Sequence, residues 1–182
     1  MNMLLAFAPF GAFAVLEPRT GLHAALVVAT LVAALLMLRD RVMRHRSLKV
    51  LEVGSLALFG ALALVSRMPW FGLSIVGVRL CVDLGLLLVI VFGLLIGQPF
   101  TMQYAVERVS PWVAATPQFR ATNVMLSGAW ALVFVAIVAA DLAMLYVAGF
   151  TPLLGTIAIV AALGAGALLS AWIPRRVTRT RR

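Results

Sequence analysis

The sequence predicts an all-α, polytopic transmembrane helix bundle, and three observations carry that expectation. Hydrophobic residues make up 64% of the 182 residues and charged residues only 12%, with a mean hydropathy of +1.10. A single soluble core at this length cannot hide so much apolar surface. Apolar runs recur that reach the roughly 20 helical residues needed to cross about 30 Å of hydrocarbon. Lysine and arginine cluster between those runs, where they report membrane orientation. The formal charge of +9 therefore reads as topology rather than nucleic-acid binding.

Taken in order, the opening run over residues 4–16 is short and interrupted by Pro9 and Gly11. It suits a tilted short span, a re-entrant half-helix or an interfacial anchor. A cleaved secretory signal is the alternative, since Ala12-Phe13-Ala14 resembles a cleavage site, but the basic n-region of such signals is missing. Five membrane helices are then expected at 21–38, 50–66, 73–96, 125–148 and 152–173. They form one integral membrane domain, 1–182, ending in a basic tail over 174–182. Arg39, Arg41, Arg44, Arg46 and Lys49 fall in one connection, Arg108 and Arg120 in another, and Arg175, Arg176, Arg179, Arg181 and Arg182 in the tail. Alternating helices put all of these on one side and only Arg19 and Arg67 on the other. The positive-inside rule then makes the C-terminus cytoplasmic in a plasma (inner) membrane, with the arginines either setting topology or meeting anionic headgroups.

Small residues mark expected packing faces, because close backbone approach replaces the hydrophobic drive that lipid cannot supply. Ala158, Ala162, Gly166 and Ser170 recur on the last helix, Gly77, Cys81 and Gly85 on the 73–96 span, and Gly93 with Gly97 make a GxxxG at its inner end. Cys81 stands alone, which excludes a disulfide framework, and His23 and His45 are too few and too separated for a haem or zinc site.

The residues of most interest are charges inside the spans. Arg79 lies roughly 12 Å along its helix from Phe71 and Asp83 roughly 6 Å deeper, at 1.5 Å per residue. Asp141, on the 125–148 span, falls at a depth close to that of Arg79. An unpaired charge at the centre of a helix costs on the order of 2.5–3.5 kcal/mol. One arginine shared by two carboxylates is therefore expected, serving either as a buried clamp or as part of a proton, ion or headgroup path. Glu52, three residues after Lys49 near its helix end, is expected to make an interfacial salt bridge.

The connection over 97–124 is long and aromatic for a passive loop. A helix over 99–109 starting at Pro99 would gather Met102, Ala105, Val106 and Val109 into one apolar stripe, with Phe100, Gln103, Tyr104, Glu107 and Arg108 on a mixed face. Pro111 and Pro117 would break it, and Trp112 and Phe119 would anchor at headgroup level. A membrane-lying element is the simpler expectation for this loop, and a docking surface for a partner protein the functional one.

These features also resemble the intracellular septation protein A-like family of small polytopic inner-membrane proteins. The resemblance rests on Phe7-Ala8-Pro9, the Arg39 to Lys49 cluster, Gln98-Pro99-Phe100, and Trp130-Ala131-Leu132 with Phe134. It implies a role in cell-envelope maintenance and septation through contacts with other membrane proteins, and carries no catalytic residue. The sequence itself has no nucleophile elbow, HExxH or phosphate-cradling glycine loop. A non-enzymatic scaffold or accessory protein is thus expected, without cofactor or metal. The alternative is a small oligomeric transporter or channel using the buried Arg/Asp cluster.

Overall fold

A computed structural model describes residues 3–43, 49–68, 72 and 74–179, and the side chains of these except 3, 4, 43 and 174–179. Every regular element among the described residues is helical. Four helices, Leu22–Val42, Ile75–Leu95, Pro117–Tyr146 and Pro152–Ile173, are long and apolar enough to cross a membrane, while Val50–Val65 is apolar but shorter. By length and composition this is a helical membrane protein. The chain packs as two compact units, Met1–Ile75 and Val76–Arg182.

The first unit holds α1 (Met3–Ala6), α2 (Ala8–Thr20), α3 (Leu22–Leu38) continued by a π-helical turn (Arg39–Met43), and α4 (Val50–Val65). The expected interruption by Pro9 and Gly11 is absent. Pro9 sits in the first turn of α2, where a missing N–H costs nothing, and the Gly11 N–H donates to Phe7 O at 3.0 Å. The chain then reverses at Gly21, whose φ of 81° lies in the left-handed region that favours glycine. Ala25, Ala29 and Ala33 are buried on one face of α3, letting neighbouring backbones approach. Phe59 of α4 is fully buried, with the Phe10 ring edge-on at 4.9 Å and the Phe13 ring at 5.9 Å. At the far end of α4, Ser66 Oγ meets His23 Nδ1 at 2.8 Å.

The second unit holds α5 (Ile75–Leu95), α6 (Phe100–Ala105) with a 3₁₀ turn (Val106–Arg108), α7 (Pro111–Ala114), α8 (Pro117–Tyr146) and α9 (Pro152–Arg179). Helix α8 begins eight residues before the expected span, because Pro117, expected only to break the preceding helix, occupies its first turn. Thr116 caps it, its hydroxyl accepting from the Phe119 N–H at 3.2 Å. One stripe of α8 is buried over Asn123, Ser127, Trp130, Phe134, Ile137 and Asp141, alternating steps of four and three as a helix packed along its length requires.

Helix α9 packs on α8. Gly166 is buried against the Trp130 ring and Val133, a Cβ on Gly155 would run into the Met144 thioether, and Trp130 Nε1 donates to Ser170 Oγ at 3.0 Å. The small-residue face therefore runs through Gly155, Ile159, Ala162, Gly166 and Ser170, and Ala158, expected within it, is exposed. A second expectation also changes. Gly93 and Gly97 form no interhelical GxxxG, since Gly97, at φ 71°, ends α5. The Gln98 N–H donates to Gly93 O at 2.8 Å and the Gly97 N–H to Leu94 O at 3.1 Å, the paired bonds of a Schellman turn.

Candidate functional site

Helices α5 and α8 bring Arg79, Asp83 and Asp141 into one electrostatic neighbourhood. The α5 stripe of Val78, Val82, Leu86 and Ile90 is buried, and Arg79 and Asp83 lie one residue round from it, four apart on a common flank. Asp141 closes the buried stripe of α8 and is fully buried. Its carboxyl interacts with that of Asp83, and the Arg79 charge reaches both. Arg79 reaches Asp141 without a hydrogen bond: neither Asp141 oxygen accepts one from a donor among the described residues. Two carboxylates that meet are both acceptors, so the contact as it stands contains no donor.

A second ionic cluster lies at the α3–α4 end of the first unit, where the expected Lys49–Glu52 pair is joined by Asp40 and Arg39, a partnership not expected from the sequence. Lys49 Nζ donates to Asp40 Oδ2 at 3.3 Å and to Glu52 Oε1 at 3.4 Å, and Arg39 Nη2 donates to Asp40 Oδ1 at 3.0 Å. The expected Lys49–Glu52 salt bridge forms, and it is buried within the protein, with Lys49 and Asp40 1% exposed and Glu52 5%. The signal was present in the spacing. Asp40 lies seven residues after Ala33 on the inward face of α3, and Glu52 precedes Ser55, Phe59 and Ala63 on the inward face of α4. The π turn over Arg39–Met43 and the extended backbone of Lys49, which precedes the first turn of α4, bring the groups together.

The connection from Pro99 to Thr116 is helical over 100–108, within a residue at each end of the expected 99–109 helix, but not as one α-helix. Pro99 precedes α6, and that helix gives way at Val106 to a 3₁₀ turn. The face it buries within the protein consists of Phe100, Thr101 and Tyr104, from the expected mixed face, while Val106 of the apolar stripe is exposed. Helix α6 packs on α8, and Thr101 Oγ1 explains why: it donates to Asn123 O at 2.9 Å and meets Ser127 Oγ at 2.8 Å. Phe100 and Tyr104 are thus internal packing groups. Glu107 is half-buried, Arg108 exposed, and Trp112 projects outward at 86% exposure.

Of the basic residues, Arg41 is exposed, while Arg39 is engaged with Asp40. Arg44 and Arg46 lie outside the described residues, and so do the side chains of Arg175 and Arg176, whose backbone continues α9. Among the described residues no group of three His, Cys, Asp or Glu side chains is placed to hold a metal ion. In comparisons with known proteins, no family model, no curated protein and no solved structure matches this chain.

Proposed function

We propose that this chain is a multi-pass inner-membrane scaffold or accessory protein of cell-envelope maintenance and septation, non-enzymatic, acting through contacts with other membrane proteins. The observation that carries this reading is the surface of α9. Only 11% of its apolar stretch is buried within the chain, although it is rich in small residues. Ala158, Ala161, Gly164 and Ala165 are exposed there, and small residues are what a partner helix needs for close approach inside a bilayer. The layout resemblance to septation protein A-like proteins supports the same reading, with Val50–Val65 as a fifth, short span and α2 as a membrane-embedded segment. The basic residues of the tail and of the Arg39 to Lys49 region favour a cytoplasmic C-terminus.

Purification from native membranes in a gentle detergent, with identification of co-purifying proteins and lipids, tests the proposal. Stoichiometric envelope proteins that are lost on Ala161→Leu/Ala165→Leu substitution are the expected result. A lone homo-oligomer that carries ions across liposomes would overturn it. That outcome is the second reading, a small transporter, which the Arg79, Asp83 and Asp141 cluster favours because ionisable residues within spans commonly line proton or ion paths.

A further inference from the structure

We propose that Asp83 and Asp141 form a membrane-buried proton-binding site in which one exchangeable proton is shared between the two carboxyls. The first support is hydrogen bonding. Asp141 is fully buried, neither of its oxygens has a donor among the described residues, and the polar group it meets is another carboxyl. A proton on either carboxyl converts two facing acceptors into a donor and an acceptor. The second support is charge. Arg79 is the cation that reaches both carboxyls, and helix α9, which packs on α8, has no ionisable side chain between Pro152 and Ile173. With both carboxyls ionised the cluster carries one net negative charge inside a span. With one proton bound it is neutral, as burial in hydrocarbon demands.

The aspartate pair is therefore a single acid–carboxylate unit, its two members titrating together. Proton binding at equilibrium by this pair is compatible with a bundle that scaffolds partners and with one that moves ions.

Infrared spectroscopy of the full chain in lipid nanodiscs at neutral pH tests it, because the carbonyl stretch of a carboxylic acid is resolved from carboxylate bands. The expected spectrum has a carboxylic-acid band that shifts on transfer to heavy water and is lost in both Asp83→Asn and Asp141→Asn. Each asparagine supplies an amide donor to the remaining carboxylate, so each variant keeps the hydrogen bond while removing the proton. Absence of the band from the unsubstituted protein would overturn the proposal without recourse to any variant. A band that survives either substitution would also overturn it, by assigning the proton to one carboxyl or to another group.

Discussion

The two ionic clusters are built from the same kinds of side chain and solve the cost of charge in different ways. In the first unit, two cations meet two carboxylates, and Lys49 donates directly to acids from both sides of the α3–α4 turn. In the second, one cation faces two carboxyls and reaches them without a hydrogen bond to Asp141. Pairing with direct donors gives a closed clamp that holds two helix ends in register. An excess of acid, with Asp141 fully buried and Asp83 half-buried, gives a group whose state depends on what it binds. Burial of charge alone therefore does not identify a functional site, and the ratio of donors to acceptors within the cluster separates the two cases.

The largest effect that would break this comparison is expected at Lys49. Lys49→Met strands Asp40 and Glu52 without their shared donor and should cost about 3–5 kcal/mol, read as a shift in unfolding by denaturant in mixed micelles. The triple variant Asp40→Asn/Lys49→Met/Glu52→Gln should recover most of that loss, since neutral groups carry no comparable desolvation cost. Failure to recover would mean that Lys49 matters for its packing rather than its charge.

Removing the cation of the other cluster is expected to do less. Arg79→Leu takes away a field and no hydrogen bond to Asp141, and the carboxyl pair has protons available to offset it, so a loss of about 1–3 kcal/mol is expected in the same assay. A loss equal to that of Lys49→Met would erase the distinction between clamp and binding site.

Thr101→Val lies outside both clusters and calibrates them. It removes the hydroxyl that bonds Asn123 O and Ser127, and should cost about 1 kcal/mol while exposing the Arg108 peptide bond to faster tryptic cleavage as α6 loosens from α8. The smallest effect is expected for Asp141→Asn, within about 0.5 kcal/mol of the unsubstituted protein, because the amide reproduces the donor that a protonated carboxyl supplies. A large destabilisation there would place Asp141 among the structural charges.

Much of this was legible from periodicity. The apolar runs foretold α3, α5, α8 and α9, and four-residue spacing put Arg79 and Asp83 on one flank of α5. What misled were residues whose meaning depends on context. Pro9 and Pro117 look like breaks in a one-dimensional reading, yet the first turn of a helix has spare N–H groups, so a proline there is a start. Gly93 and Gly97 have the spacing of an interhelical contact, and only the φ of Gly97 reveals a turn. Phe100 and Tyr104 looked like members of a mixed interfacial face, and the polar node of Thr101, Asn123 and Ser127 turned them inward.

By itself, the sequence determined the solvent and the secondary structure, because hydrocarbon forces every backbone polar group to be satisfied within a helix and sets that helix's length. The tertiary structure decided which charges meet. Asp40 finds Lys49 only once the α3–α4 turn closes, and Asp141 finds Asp83 only once the fold brings their two helices within reach. Coulomb energy and hydrogen bonding fall steeply with distance and angle, so those partnerships are fixed by packing and not by spacing along the chain.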